Sequence, residues 1–186
     1  MSEMASSGQL WAAYWRWALV TVPLTVVPGF IVGALSNSGE TNRWYALLDK
    51  PWFQPPGWVF PIAWSVLYVM LGLGIAVILH ARSARFRNYA IALFVLAYLL
   101  NLTWSPTFFG LHQPRLALFI IAAMFGAALA TTLLFGRIRS TAAWLMVPYL
   151  GWLCFAAILN FEIVRLNPGA EGLVVEAGGT QIDIRR

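Results

Sequence analysis

Five apolar stretches of about 19 to 23 residues, near 17–35, 58–79, 88–109, 114–135 and 142–164, constrain this chain more than any other feature. At ~1.5 Å of rise per residue, each spans the ~30 Å hydrocarbon core of a bilayer as a helix. The runs are continuous rather than alternating, which excludes a membrane β-barrel. Together they consume most of the 186 residues and leave no room for a separate soluble domain. Charged residues make up 10% of the chain, against the roughly 25% that covers a soluble surface. The expected architecture is an all-α membrane protein: a five-transmembrane-helix bundle over 1–167, with a lid loop at 36–57 and a polar C-terminal tail at 168–186.

The net charge of +5 invites a nucleic-acid reading, but the distribution argues for a membrane. Arg82, Arg85 and Arg87 fall between the second and third spans, and Arg137 and Arg139 between the fourth and fifth. The opposite loops hold Arg43, Lys50 and Arg115, with Glu40 and Asp49 offsetting the first two. The positive-inside rule then predicts a multi-pass protein of the cell membrane with a cytoplasmic N-terminus. Trp11, Trp15, Trp17 and Trp144 read as interfacial belt residues. The first span, interrupted by Pro23 and Pro28, reads as an uncleaved helix rather than a signal peptide.

Catalytic signatures are missing: there is no HExxH, P-loop, GxGxxG or serine nucleophile elbow. Cys154 stands alone, His80 and His112 fall at span ends, and no metal site is expected. Ala122, Gly126 and Ala130 recur every fourth position, a spacing that lets helices approach closely in lipid. That stripe serves either packing inside the bundle or a homodimer face. In the second span Gly72 and Ala76 form a shorter one.

Polar groups within spans need a partner or a purpose. Asn101 is either helix glue or a ligand contact. Glu162 and Arg165 are spaced for an ion pair on one helical face. Trp64 and Tyr68 share a face, as do Asn101, Trp104 and Phe108, and as do Tyr149, Trp152, Ala156 and Asn160. Stripes that mix large aromatics with an amide suit a pocket for a flat, largely apolar ligand with polar edges. Helix packing alone would also use them. Pro51, Pro55, Pro56 and Pro61 stiffen the segment WYALLDKPWFQPPGWVFPIAW, so that Trp52, Phe53 and Trp58 are expected to lie across the bundle mouth as a preformed lid.

WYALLDKPWFQPPGWVFPIAWSVLY, LNLTWSPTFFG and VPYLGWLCFAAILNFEIVRLN, in this order on five spans, resemble the TspO/MBR family, the tryptophan-rich sensory proteins and mitochondrial translocator proteins. The resemblance covers about residues 17–167. It implies a five-helix bundle, usually a homodimer, with a cavity beneath the loop joining the first two helices. It also implies binding of porphyrin-type tetrapyrroles such as protoporphyrin IX or haem-like molecules, and in some members sterols or benzodiazepine-type drugs. No cofactor is implied. By motif position the ligand-binding residues would be Tyr45, Trp64, Tyr68, Asn101, Trp104, Trp152 and Ala156. Trp64 and Trp152 would be the catalytic pair if light-dependent porphyrin degradation occurs. Trp52, Pro55, Pro56 and Trp58 would belong to the lid. Phe161 stands where the sterol pattern of animal members has tyrosine, which weakens a sterol expectation. A reversed pattern runs from Arg87 through Tyr89 to Leu93.

Overall fold

The computed structural model describes residues 7–173. The weakly alternating VVE and IDI pieces of the tail lie outside the described residues. Six α-helices follow in order: α1 (Ser7–Leu35), the single turn α2 (Arg43–Ala46), α3 (Val59–His80), α4 (Arg87–Ser105), α5 (Pro114–Ile138) and α6 (Ser140–Leu166). A π-helical turn, Pro106–Gly110, prolongs α4, and a 3-10 turn, Ala170–Gly172, closes the described chain. Five of these helices are long and apolar enough to cross a membrane: Trp11–Leu35, Val59–His80, Arg87–Gly110, Pro114–Ile138 and Ser140–Leu166. The expected five-helix bundle is therefore what the chain forms. The first helix starts ten residues earlier than hydropathy alone indicates, because its aromatic belt is itself helical. Trp11, Trp15 and Trp144 face outward, as belt residues do.

The helices close a ring in the order α1, α3, α6, α5, α4, and α4 returns to α1 and α3. The α1–α3 seam shows how residue size sets helix approach. Thr21 Oγ1 donates to the Gly72 carbonyl at 2.7 Å, and Thr25 Oγ1 to the Tyr68 carbonyl at 2.8 Å. Both bonds need backbones close enough to exclude a side chain at Gly72. A Cβ there would fall 2.6 Å from Val22 Cα and 2.7 Å from Thr25 Oγ1. Gly72→Ala should therefore cost about 1–3 kcal/mol by overpacking. Gly74→Ala, whose Cβ would meet nothing nearer than 3.6 Å, should not. Thermal unfolding of the two variants in one detergent checks the contrast.

Prolines are placed where the backbone can spare a bond. Pro61 sits in the first turn of α3, where no intrahelical partner is lost. Pro106 cannot continue the α ladder. The chain widens there into the π turn, with Leu111 N–H donating to the Pro106 carbonyl at 2.8 Å. The extra residue per turn lets Thr107, Phe108 and Phe109 all be buried in succession.

Candidate functional site

Near the middle of the ring, aromatic side chains of α3 and α6 meet the amide of α4. Trp64 stacks on Tyr68 at a centroid distance of 5.1 Å, and it meets the edges of Tyr149 at 6.4 Å and Trp152 at 6.2 Å. The hydroxyl of Tyr68 donates to Asn101 Oδ1 at 2.7 Å, and Asn101 Nδ2 donates to the Tyr149 hydroxyl at 3.2 Å. One buried amide thus ties three helices together. Both of its polar atoms are taken by protein, the geometry of helix glue. A second amide repeats the device: Asn160 Oδ1 accepts from Trp104 Nε1 at 3.3 Å, and its Nδ2 donates to the Pro114 carbonyl at 2.9 Å. Trp104 stacks on Phe108 at 5.1 Å, and Ala156 packs half-buried at the edge of the same core.

The structure therefore brings Trp64, Tyr68, Asn101 and Trp152 together. Trp104 packs against this core and also against a neighbouring cluster with Phe108, Phe109 and Tyr45. Trp152 belongs to the inside and the outside at once. It lines an apolar groove of about 390 Å³ between α3 and α6 with Ala63, Val66, Leu67, Pro148, Gly151 and Phe155.

Above this layer lies the cover. Asn42 caps α2, its Oδ1 accepting from Tyr45 N–H at 3.0 Å, while its Nδ2 donates to the Phe109 carbonyl at 3.2 Å. Trp44 is 1% exposed. Its indole lies flat on His112 at 4.7 Å, meets the edge of Phe108 at 5.5 Å and donates to the Ala170 carbonyl at 2.9 Å. Asp49 and Asn167 exchange two bonds of 2.8 Å: the Asp49 N–H donates to Asn167 Oδ1, and Asn167 Nδ2 donates to the Asp49 carbonyl. Arg115 completes the seam, donating to the Pro168 carbonyl at 2.8 Å and pairing with Glu171 at 3.5 Å. The first residues of what composition reads as a free tail are in fact docked on the loop.

The lid residues divide. Trp52 is 95% and Trp58 66% exposed, and Pro56 is also exposed while Pro55 is half-buried. The stiff Trp/Pro segment forms the rim, and Trp44, Tyr45 and Leu48 form the inward plug. No local pattern distinguishes Trp44 from its neighbours. Its partner Ala170 is 126 positions away, so only the fold reveals the assignment. Gln54 also lacked a sequence signal. Its Oε1 is buried with no hydrogen-bond partner in the described structure. The side chain lies against Tyr45, whose phenol burial pushes up to about 12; the Gln54 contact works the other way.

The small-residue stripe resolves on burial. Ala122 and Gly126 are exposed and Ala130 half-buried, and a Cβ at Gly126 would meet nothing within 4 Å. Ala122 and Gly126 therefore point away from the bundle, with Ala130 at its edge. Glu162 and Arg165 do pair, at 2.7 Å. Phe161 is exposed.

The TspO/MBR family profile matches residues 20–166. A tryptophan-rich protein TspO from Chlorobaculum tepidum is 36% identical over 148 residues, covering 79% of this chain and 93% of that protein. A tryptophan-rich sensory protein from Cereibacter sphaeroides is 36% identical over 138 residues, covering 73% and 85%. The human translocator protein is 37% identical over 147 residues, covering 77% and 86%. With a match over most of its length and relatives that it covers almost end to end, this chain is a multi-pass membrane protein that belongs to the TspO/MBR family.

Proposed function

We propose that the chain is a membrane receptor or carrier for porphyrin-type tetrapyrroles, used in their transport or sensing. The observation that carries this reading is the double position of Trp152. Its ring lines the outer groove of about 390 Å³ and touches Trp64 in the interior. A flat apolar ligand entering from the bilayer would meet an indole first, with the Trp64–Tyr68 stack behind it. The groove is shallow and open to the outside, so it serves as an entrance rather than an enclosed pocket. Because Trp64, Tyr68 and Trp152 touch one another, seating a macrocycle between them requires those rings to part. Tyr45 and the unpartnered Gln54 oxygen beneath the cover would then offer polar contacts to the ligand edge. Sterols and benzodiazepine-type molecules would compete for the same surface.

A dark titration of detergent-solubilised protein with protoporphyrin IX, followed by tryptophan quenching, tests the reading. Saturable quenching is expected for wild type. Trp152→Leu should weaken affinity about tenfold, the loss of one base-sized aromatic stack of ~1–3 kcal/mol. Linear quenching, or equal affinity of the two proteins, would overturn it.

The contact of Trp64 with Trp152, Tyr68 and Tyr149 favours one alternative, light-driven porphyrin degradation with dioxygen as oxidant. Ligand absorbance would then fall under illumination and not in darkness. It would fall more slowly in the Trp64→Phe/Trp152→Phe variant. A homodimer through Ala122, Gly126 and Ala130, and a cytoplasmic N-terminus, complete the proposed arrangement. Cysteine cross-linking at Gly126 checks the dimer, and side-specific labelling checks the orientation.

A further inference from the structure

A second depression lies at the other end of α6, away from Trp152. Lys50, Pro51, Trp52 and Phe53 of the lid segment face Glu162, Arg165 and Leu166 across a groove of about 350 Å³. Its depth in the bilayer follows from the helices, since α3 begins at Val59 and α6 ends at Leu166. The groove is therefore level with lipid headgroups.

Its charges do not cancel. Glu162 Oε2 accepts from both Nε and Nη2 of Arg165, at 2.9 and 2.7 Å, so that pair is neutral as a unit. Lys50 makes no ion pair among the described residues. Its ammonium lies 4.8 Å from the centre of the Tyr45 ring and reaches only the Leu48 carbonyl, at 3.4 Å. Over its lining residues the groove therefore carries about +1, from a half-buried lysine without an ion-pair partner among the described residues, while Asp49 precedes it in the chain outside the lining. Beside it, Trp52 is 95% exposed and Leu166 is partly so. These side chains offer an apolar surface at the depth where a lipid's glycerol and first methylenes lie, and indole rings favour that layer.

We propose that this groove binds the headgroup of an anionic phospholipid, with Lys50 facing the phosphodiester and Trp52 and Leu166 against the glycerol end. The match is one of charge and shape: a monoanionic phosphodiester neutralises a +1 site. A headgroup that carries its own ammonium would bring a positive charge beside Lys50 and Arg165 and bind more weakly. Basic pockets between membrane helices hold lipid headgroups through the same chemistry. The site shares no residue with the Trp64–Trp152 cluster and does not rest on the tetrapyrrole reading.

Native mass spectrometry of the full-length protein in detergent tests it. The probes are dioctanoyl phosphatidylglycerol, dioctanoyl phosphatidylcholine and inorganic phosphate. One phosphatidylglycerol should bind saturably, and more tightly than phosphatidylcholine. Lys50→Gln should weaken it about fivefold, the effect of one lysine at a lipid surface, and Lys50→Arg should retain it. Glu162→Gln raises the groove charge and should tighten binding, a change opposite in sign to what simple damage would cause. Trp52→Ala, at a side chain too exposed to disturb folding, should also weaken it. Equal binding of both lipids, or of wild type and Lys50→Gln, would overturn the proposal. So would displacement of the lipid by sub-millimolar phosphate, which would make the groove a free-anion site.

Discussion

Trp44→Ala is expected to release the cover from the bundle. The substitution removes a fully buried indole, its stack on His112 and its bond to the Ala170 carbonyl. Truncations of this kind cost ~3–5 kcal/mol, a large share of the 5–15 kcal/mol that holds a typical domain. The loss should stay at that end of the bundle, because the larger core between the membrane helices, which includes Leu71, Met124 and Leu153, does not contain Trp44. Hydrogen exchange read by mass spectrometry should show amides of residues 42–48 and 167–173 accelerating together, with the middle of α5 and of α6, around Met124 and Leu153, unchanged. Trp44→Phe keeps an aromatic ring against His112 but lacks the donor, so its effect should be about 1 kcal/mol. If only the 42–48 amides accelerate, the indole is not what holds the C-terminal segment.

The second large effect is expected at Asn101. Asn101→Leu preserves side-chain volume and strands two tyrosine hydroxyls, Tyr68 and Tyr149, inside the bundle. A buried hydroxyl without a partner costs about 1–3 kcal/mol. Interhelical hydrogen bonds in lipid average ~0.6 kcal/mol and reach ~1.7. The combined loss should therefore be about 2–4 kcal/mol, read as a drop in thermal midpoint in detergent. A double-mutant cycle with Tyr68→Phe should show coupling, since the two changes remove one bond. The Tyr68 ring itself should stay in place. It packs so tightly on α1 that a Cβ at Gly29 would come within 2.3 Å of it. An Asn101→Leu protein as stable as wild type would mean that the amide does not hold the helices together, and would leave ligand contact as its remaining role.

These two residues mark what could and could not be read along the chain. Asn101 announces itself, because an amide within LLNLTW must be satisfied in a solvent without water. Its stripe with Trp104 and Phe108 follows from helical periodicity. The structure makes those two rings a stack, though the π turn after Pro106 sets how Phe108 and Phe109 are presented. Trp44 announces nothing: it is one of four tryptophans in twenty-one positions, and composition gave more weight to Trp52 and Trp58. Those two face outward because a connecting segment at the headgroup layer can leave indole in the interface at little cost. Trp44 lies where α2, His112 and the end of α6 converge.

The same division holds for the small residues. Gly72 and Gly126 both read as close-approach positions, yet one receives Val22 and Thr25 while the other faces out of the bundle. Spacing reports that a helix has a narrow face, and the order of helices around the ring decides what it meets. The sequence by itself determined the solvent, the number of spans, the family and the Glu162–Arg165 pair. Each of these depends on local hydropathy, on motif or on a separation of three residues. The tertiary structure alone decided which indole plugs the mouth, that Asn167 and Ala170 hold the lid, and that Lys50 has no ion-pair partner among the described residues. Those outcomes depend on contacts between segments more than a hundred positions apart, and local chemistry carries no record of such distances.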